Sequence, residues 1–386
     1  MLSDKVFELM PGVRAHFGCG SLEKLPRLVR ATERERVFII TDAGVETSGI
    51  PGRVQSALAA EGLLVEVLPG VRSNPRVEQV EALSARVRTA THPVLVAVGG
   101  GSSMDSAKAV ALLSVNGGSL SDFPPGCRPA HAGHPVVCVP TTAGTGSETN
   151  MFAAIIDPRS RRKMVVGHPS VLPEAVILDP ELTLGVPADV SAHTGMDALA
   201  HAIEAFTSNR HNPLSDALAL RALAALVTFL PSAVENGSDL EARAQMLLAA
   251  HLAGLAFASS GLGLCHALAH PLSGRLDVSH GQALATLLPH VMRFNFGVCE
   301  ARYAQLSIAL GVRAPGVSDA ENAHRSISAV ERLSQSIGTQ RSATELGVER
   351  KHLPELVEDA MADLVLSGTP RFPEPGDVLA LYEAAL

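Results

Sequence analysis

The stretch Pro93-Val94-Leu95-Val96-Ala97-Val98-Gly99-Gly100-Gly101-Ser102 decides the fold. Its first six residues are apolar and rich in Val, with no polar alternation. Such a run suits a strand buried on both faces, as in a parallel sheet. Three glycines close it, and Ser103 to Ser114 continues in helical period. Strand, glycine turn and helix make one winding of an α/β sheet. The pattern repeats outward in both directions. Upstream, residues 1–30 read as an apolar strand, a turn at Gly18-Cys19-Gly20 and a short helix. Arg36-Val37-Phe38-Ile39-Ile40-Thr41-Asp42 is a second apolar strand that ends in an acid. A helix is expected from about Pro51 to Glu61, a strand over Leu63–Leu68 and a helix from about Val77 to Thr89. Downstream, Pro135-Val136-Val137-Cys138-Val139-Pro140 is a further strand, followed by Thr141-Thr142-Ala143-Gly144-Thr145-Gly146-Ser147. Val176-Ile177-Leu178-Asp179-Pro180 is the last strand of this texture. Beyond Pro187 the period is helical almost throughout, with helices expected over 189–208, 212–230, 239–259, 262–272, 282–295, 300–310, 318–338, 350–362 and 374–385.

Composition narrows the class. A chain of 386 residues can bury sizeable cores in two or three domains. A net charge of −8 without a basic block argues against nucleic acid or an anionic membrane as partner. The five cysteines are scattered, odd in number and form no CxxC pair, so neither a disulfide framework nor a cysteine zinc site is indicated. A reducing cytoplasm fits best. Met1 to Met10 lacks the basic start and apolar core of a signal peptide. Ala244 to Gly274 contains no Asp, Glu, Lys or Arg and is long enough to span a bilayer. Its histidines, serines, glycines and proline suit a buried helical segment better, so no membrane is expected.

In open α/β sheets ligands sit at the carboxyl ends of strands. Gly99, Gly100, Gly101 and Ser102 lie at such an end and open a helix. Glycines allow close approach to a pyrophosphate, and a helix N-terminus offers N–H groups and positive potential. Thr141 and Thr142 begin a second hydroxyl- and glycine-rich loop at a comparable strand end. Asp42 ends its strand where dinucleotide folds place an acid on the ribose hydroxyls, which favours NAD over NADP; a helix-capping role is the competing reading.

The second half carries the histidines. Asp197 and His201 are four residues apart, as are His266 and His270, and each pair shares one helix face. His280 follows beyond the Gly274 turn. These are five candidates for about four positions around a divalent cation, and spacing does not say which one is not a ligand. A mixed His and carboxylate set without thiolate suits Fe²⁺, Zn²⁺ or Mn²⁺. Such a metal opposite a nicotinamide implies Lewis-acid chemistry on a substrate oxygen. His270, one turn from His266, is placed to relay an alcohol proton. His193, His251 and His290 read as structural. The expected architecture is an α/β, Rossmann-like dinucleotide-binding domain over 1–185, followed by an all-α metal-binding domain over 186–386.

These pieces together resemble the iron-containing (group III) alcohol dehydrogenase family. The matching stretches are Gly99-Gly100-Gly101-Ser102-Ser103-Met104-Asp105-Ser106-Ala107-Lys108, Pro140 to Glu148, Gly195 to Glu204 and Gly261 to Leu272, with His280-Gly281 and Leu288 to Asn295. The resemblance covers 36 to about 295; the last ninety residues add little. It implies metal ligands at Asp197, His201, His266 and His280, and an active-site, non-ligand histidine at His270. It implies cofactor contacts at Asp42, Gly99, Gly100, Gly101, Ser102, Thr141 and Thr142, and also at Lys163 and Leu182. It implies a cytoplasmic dimer or larger homo-oligomer that interconverts primary alcohols or diols with aldehydes, with NAD(H). Two segments depart from the family's usual pattern, Thr149-Asn150-Met151-Phe152 and Ser259-Ser260. In relatives these segments, and the position of Phe257, approach the substrate, so Asn150, Phe152 and Phe257 are pocket candidates and the specific substrate does not carry over. A dehydroquinate-synthase-like lyase would use a different ligand set. A non-catalytic regulatory protein would not need His270 and Asp42 intact.

Overall fold

A computed structural model describes residues 12–386. The reading of Met1 to Met10, and the first part of the strand expected within residues 1–30, lie outside the described residues. In chain order the first elements are β1 (Ala15–Phe17), α1 (Leu25–Arg30), β2 (Arg36–Asp42), α2 (Ala43–Thr47), α3 (Ile50–Ala60), β3 (Leu64–Val71), α4 (Val77–Val87), β4 (Val94–Gly99), α5 (Gly101–Asn116), β5 (Val136–Pro140), β6 (Phe152–Asp157), β7 (Arg162–Gly167) and β8 (Ala175–Leu178). The helices that follow are α6 (Ala188–Thr207), α7 (Pro213–Glu235), α8 (Leu240–Ser260), α9 (Leu264–Leu276), α10 (His280–Ala309), α11 (Asp319–Ser336), α12 (Leu353–Met361) and α13 (Pro375–Ala385). The chain forms two compact units, Val13–Pro187 with Gly237–Leu248, and Ala188–Asn236 with Ala249–Leu386.

The first unit is built on a six-stranded sheet of order β1-β8-β5-β4-β2-β3, with every pairing parallel. Its central strands are apolar at successive positions because both faces are covered. Val37, Ile39, Val94, Val96 and Val98 pack on one side with residues of α1 and α3. Phe38, Ile40, Leu95 and Ala97 pack on the other with α4, α5 and Leu247 from α8. Each Val or Ile so buried contributes about 1.5–3 kcal/mol. The chain order reverses between β2 and β4, so the carboxyl ends at Asp42 and Gly99 flank a topological switch point.

The antiparallel hairpin β6–β7 departs from the expected pattern, which has no strand between 140 and 176. Its signal is short: Ala154-Ile155-Ile156, then a turn in which Asp157 accepts from the Arg159 N–H at 3.0 Å. The hairpin belongs to neither face of a βα winding, so the alternation rule does not find it.

The second unit is helical. α6 packs on α7 and α10, α10 on α9 and α11, and α9 and α13 on α12. The charge-free run from Ala244 to Gly274 is divided between α8 and α9, which meet at 108°. One expectation is corrected: the helices read over 282–295 and 300–310 are the single 30-residue α10. Gly297 suggests a break, but a glycine in a helix interior costs only about 1 kcal/mol. The packing of α10 against α6, α9 and α11 outweighs that.

Candidate functional site

In the helical unit α6 and α9 present their chemistry to each other. Asp197 and His201 leave one face of α6, with His201 Nε2 3.2 Å from Asp197 Oδ1. His266, in the first turn of α9, brings its Nε2 to 3.7 Å from the same Asp197 oxygen. Asp197, His201 and His266 are all buried, and one ligand atom from each lies within 4.8 Å of the others. The His201 and His266 rings stack with centroids 4.7 Å apart. His280 opens α10 beside them, its ring centroid 5.4 Å from that of His266 and 5.3 Å from that of His270. It stands next to the three-residue cluster, outside the 4.8 Å set. Phe257, on α8, covers His201 with ring centroids 4.5 Å apart.

Two carboxylates to which the sequence reading assigns no role complete this centre. Glu204, one further turn along α6, accepts from the Cys265 N–H at 2.7 Å and holds His266 Nδ1 at 2.5 Å. Nδ1 therefore keeps its proton in either charge state, and Nε2, which faces Asp197, is the nitrogen whose proton a cation can replace. His266 Nε2 is a buried atom without a hydrogen-bond partner among the described residues. Burial by itself lowers the pKa of His266, but Glu204 and Asp197 outweigh it and push it up to about 9. The centre thus favours positive charge, which a proton or a divalent cation can supply. The donor set, one carboxylate with imidazoles and no thiolate, fits Fe²⁺ or Zn²⁺. Asp363, between α12 and α13, holds His270 Nδ1 at 2.7 Å. Glu204 closes the Gly195 to Glu204 stretch, whereas Asp363 has no local signal at all.

The sequence-derived cofactor residues of the α/β unit also come together in part. Asp42 Oδ1 accepts from the Val45 N–H at 3.0 Å, which caps α2, and Oδ2 accepts from Ser103 Oγ at 3.1 Å. A carboxylate has about four lone-pair sites, so these two bonds leave acceptor capacity toward a ribose. A Cβ on Gly99 would lie 2.4 Å from Ser103 Oγ and 3.0 Å from Asp42 Oδ2, and its φ of +151° also favours glycine. Gly100 approaches Thr142 and Gly101 approaches Thr145 in the same way. The Thr141 N–H donates to Gly99 O at 3.0 Å, so both loops form one cradle at the N-terminus of α5, where Ser102 sits. Lys108, fully buried on α5, anchors the second loop by donating to Ser147 O at 2.8 Å and Ser147 Oγ at 2.7 Å. Lys163 lies on β7 opposite Ile156, and Leu182 is buried in the sheet core with Val98 and Val139. Asn150 is engaged within its own loop: Nδ2 donates to Gly146 O at 3.2 Å and Oδ1 accepts from the Phe152 N–H at 2.9 Å.

Two family models match the chain, "Iron-containing alcohol dehydrogenase" over residues 12–180 and "Fe-containing alcohol dehydrogenase family, C-terminal" over residues 191–386. A probable alcohol dehydrogenase, EutG, of Salmonella typhimurium is 39% identical over 95% of this chain and 92% of its own. The NAD-dependent methanol dehydrogenase of Bacillus methanolicus is 35% identical over 96% of this chain and 97% of its own. Among solved structures, a 1,3-propanediol oxidoreductase superposes with a TM-score of 0.94 at 32% identity, covering 99% of this chain and all of its own.

Proposed function

The chain belongs to the iron-containing alcohol dehydrogenase family, and we propose that Asp197, His201, His266 and His280 hold its metal and that His270 exchanges the substrate's hydroxyl proton. It is an NAD- and metal-dependent oxidoreductase that interconverts alcohols and aldehydes. We assign it primary alcohols or diols and their aldehydes. The observation that carries the residue assignment is the buried cluster of Asp197, His201 and His266, with His280 beside it.

When bound, the metal supplies Lewis-acid polarisation of the substrate oxygen, and NAD(H) supplies or takes the hydride. The chain's residues do the rest. Asp197 brings the negative charge that offsets a divalent cation. Glu204 keeps the His266 proton on Nδ1, so that Nε2 serves as the donor atom. Phe257 lays an apolar ring against His201. His270 takes the hydroxyl proton as an alcohol is oxidised and returns it as an aldehyde is reduced. In the α/β unit the glycine turn and the start of α5 suit a pyrophosphate, with Gly99, Gly100, Gly101, Ser102, Thr141 and Thr142 around it, and Lys163 and the backbone at Leu182 as further contacts. Asp42 suits a ribose diol and repels a 2′-phosphate, which favours NAD over NADP.

The test is NADH formation from a panel of primary alcohols and diols, with protein stripped of metal and refilled anaerobically with Fe²⁺, Zn²⁺ or Mn²⁺. Turnover that returns with metal is expected. His266→Ala should lose both metal and turnover. His270→Ala should keep the metal and slow kcat by about 10²-fold or more, the range of general acid–base catalysis. Equal metal content in wild type and His266→Ala would overturn the ligand assignment. We also propose a homodimer or larger homo-oligomer in the cytoplasm. Five free cysteines suit a reducing compartment. The apolar helix α7 leaves much of its surface outside the core, with Leu214 39% exposed, which supports a partner surface. A monomeric mass in light scattering would reject the oligomer.

A further inference from the structure

His270 reaches its place at the centre through a residue 93 positions further along the chain. The Nδ1 of His270 and Oδ2 of Asp363 are 2.7 Å apart, and the two side chains are only 9% and 11% exposed. The carboxylate is itself fixed, because its Oδ1 caps the following short helix by accepting from the Val365 N–H at 3.0 Å. The backbone on both sides of the contact is clamped. Arg275 at the end of α9 pairs with Asp359 of α12 at 2.5 Å, and Tyr382 Oη of α13 donates to Leu268 O at 2.8 Å. The ring lies at 18° to His280 and edge-on, at 72°, to His266. An imidazole boxed in this way retains two flipped orientations and two neutral tautomers. The neighbour of Nδ1 is a carboxylate, which accepts from Nδ1–H and so favours that tautomer and that orientation.

We propose that Asp363 is a positioning residue for the proton transfer. It holds His270 in the Nδ1–H tautomer and in one ring orientation, so that Nε2 is the nitrogen that exchanges the hydroxyl proton. The proposal rests on the reading of His270 as that proton's acceptor. Asparagine is the informative replacement. Its carbonyl can still cap Val365 N–H, while its amide, a donor, turned toward Nδ1 would move the proton to Nε2. A comparable swap behind a catalytic imidazole is costly in hydrolases through the wrong tautomer.

The experiment is a double-mutant cycle of Asp363→Asn and His270→Asn in the Fe²⁺-loaded protein. Single-turnover NADH formation and steady-state kinetics with propan-1-ol are read together with metal content. Asp363→Asn should lower the single-turnover rate by about tenfold or more while the KM for alcohol stays within about twofold. Metal content should equal that of wild type. In the His270→Asn background the same replacement should have almost no further effect, because the two act as one unit. A similar loss in both backgrounds would overturn the proposal and leave Asp363 a purely structural residue. An unchanged rate in Asp363→Asn would also overturn it. An unchanged rate in His270→Asn would instead sink the proton-acceptor reading, and the proposal with it. Should Asp363→Asn not fold, Asp363→Ser keeps a cap for Val365 N–H, removes the carboxylate and carries the same expectation.

Discussion

At the scale of single residues, the centre depends on groups that touch no ligand. Glu204 shows this best. Its two oxygens tie the start of α9 to α6 and hold the Nδ1 proton of His266. Replacing such an outer partner of a metal-binding histidine typically costs 10–100-fold in metal affinity. Glu204→Gln should therefore weaken metal binding by about that factor, measured by competition with a chelator, while the helical content of the protein is unchanged. Unaltered affinity would show that His266 needs no partner at Nδ1. Asp42 has a double life at the same scale. The sequence left its capping and ribose-binding roles open, and the cap on α2 is present. That cap does not compete with a ribose, since the remaining lone pairs are separate.

At the scale of elements, small residues decide which helices meet. A Cβ at Gly281 would lie 2.0 Å from His193 O and 2.5 Å from His193 C. These are backbone atoms of α6, so the clash cannot be relieved by a rotamer change. Gly281 is thus what lets α10 start against α6, and it places its neighbour His280 beside His266. Gly281→Ala should move the start of α10, lower stability by about 1–3 kcal/mol as overpacking does, and weaken metal binding. Urea unfolding and metal titration would check both. Retained affinity would separate the position of His280 from this contact. The elements themselves were largely legible. β2, β4 and β5 announce themselves because both faces of a parallel strand must be apolar, and the two i,i+4 pairs, Asp197/His201 and His266/His270, announce helical faces. The unity of α10 was not legible, because Gly297 is a weak breaker that only neighbouring helices overrule.

At the scale of the whole molecule, protonation links the metal centre to stability. In the metal-free protein the raised His266 pKa means that its bound proton stabilises the folded state. That contribution is fully present below pH 6.5 and is lost as pH rises through about 9. His134 acts in the opposite sense. Burial, with Arg34 and His92 nearby, lowers its pKa to about 4, so stability is lost as pH falls from 6.5 through about 4. With His266 as a ligand, as proposed above, an incoming metal displaces its proton, which becomes easier as pH rises. The gain in Tm on loading Zn²⁺ should therefore grow from pH 6.5 to 8.5 in wild type and be absent in His266→Ala. A gain independent of pH would contradict the coupling. The sequence by itself determined the parallel sheet, its glycine turn, the helical second half and the two i,i+4 pairs, Asp197/His201 and His266/His270, that share helix faces. Each of these rests on spacing within a few residues, where periodicity and backbone reach are sufficient. Only the tertiary structure decided that Glu204 sits behind His266, that Lys108 pins the second glycine-rich loop, and that Asp363 stands behind His270. Those contacts join positions 62, 39 and 93 apart, and no local preference of the chain encodes a meeting that packing alone brings about.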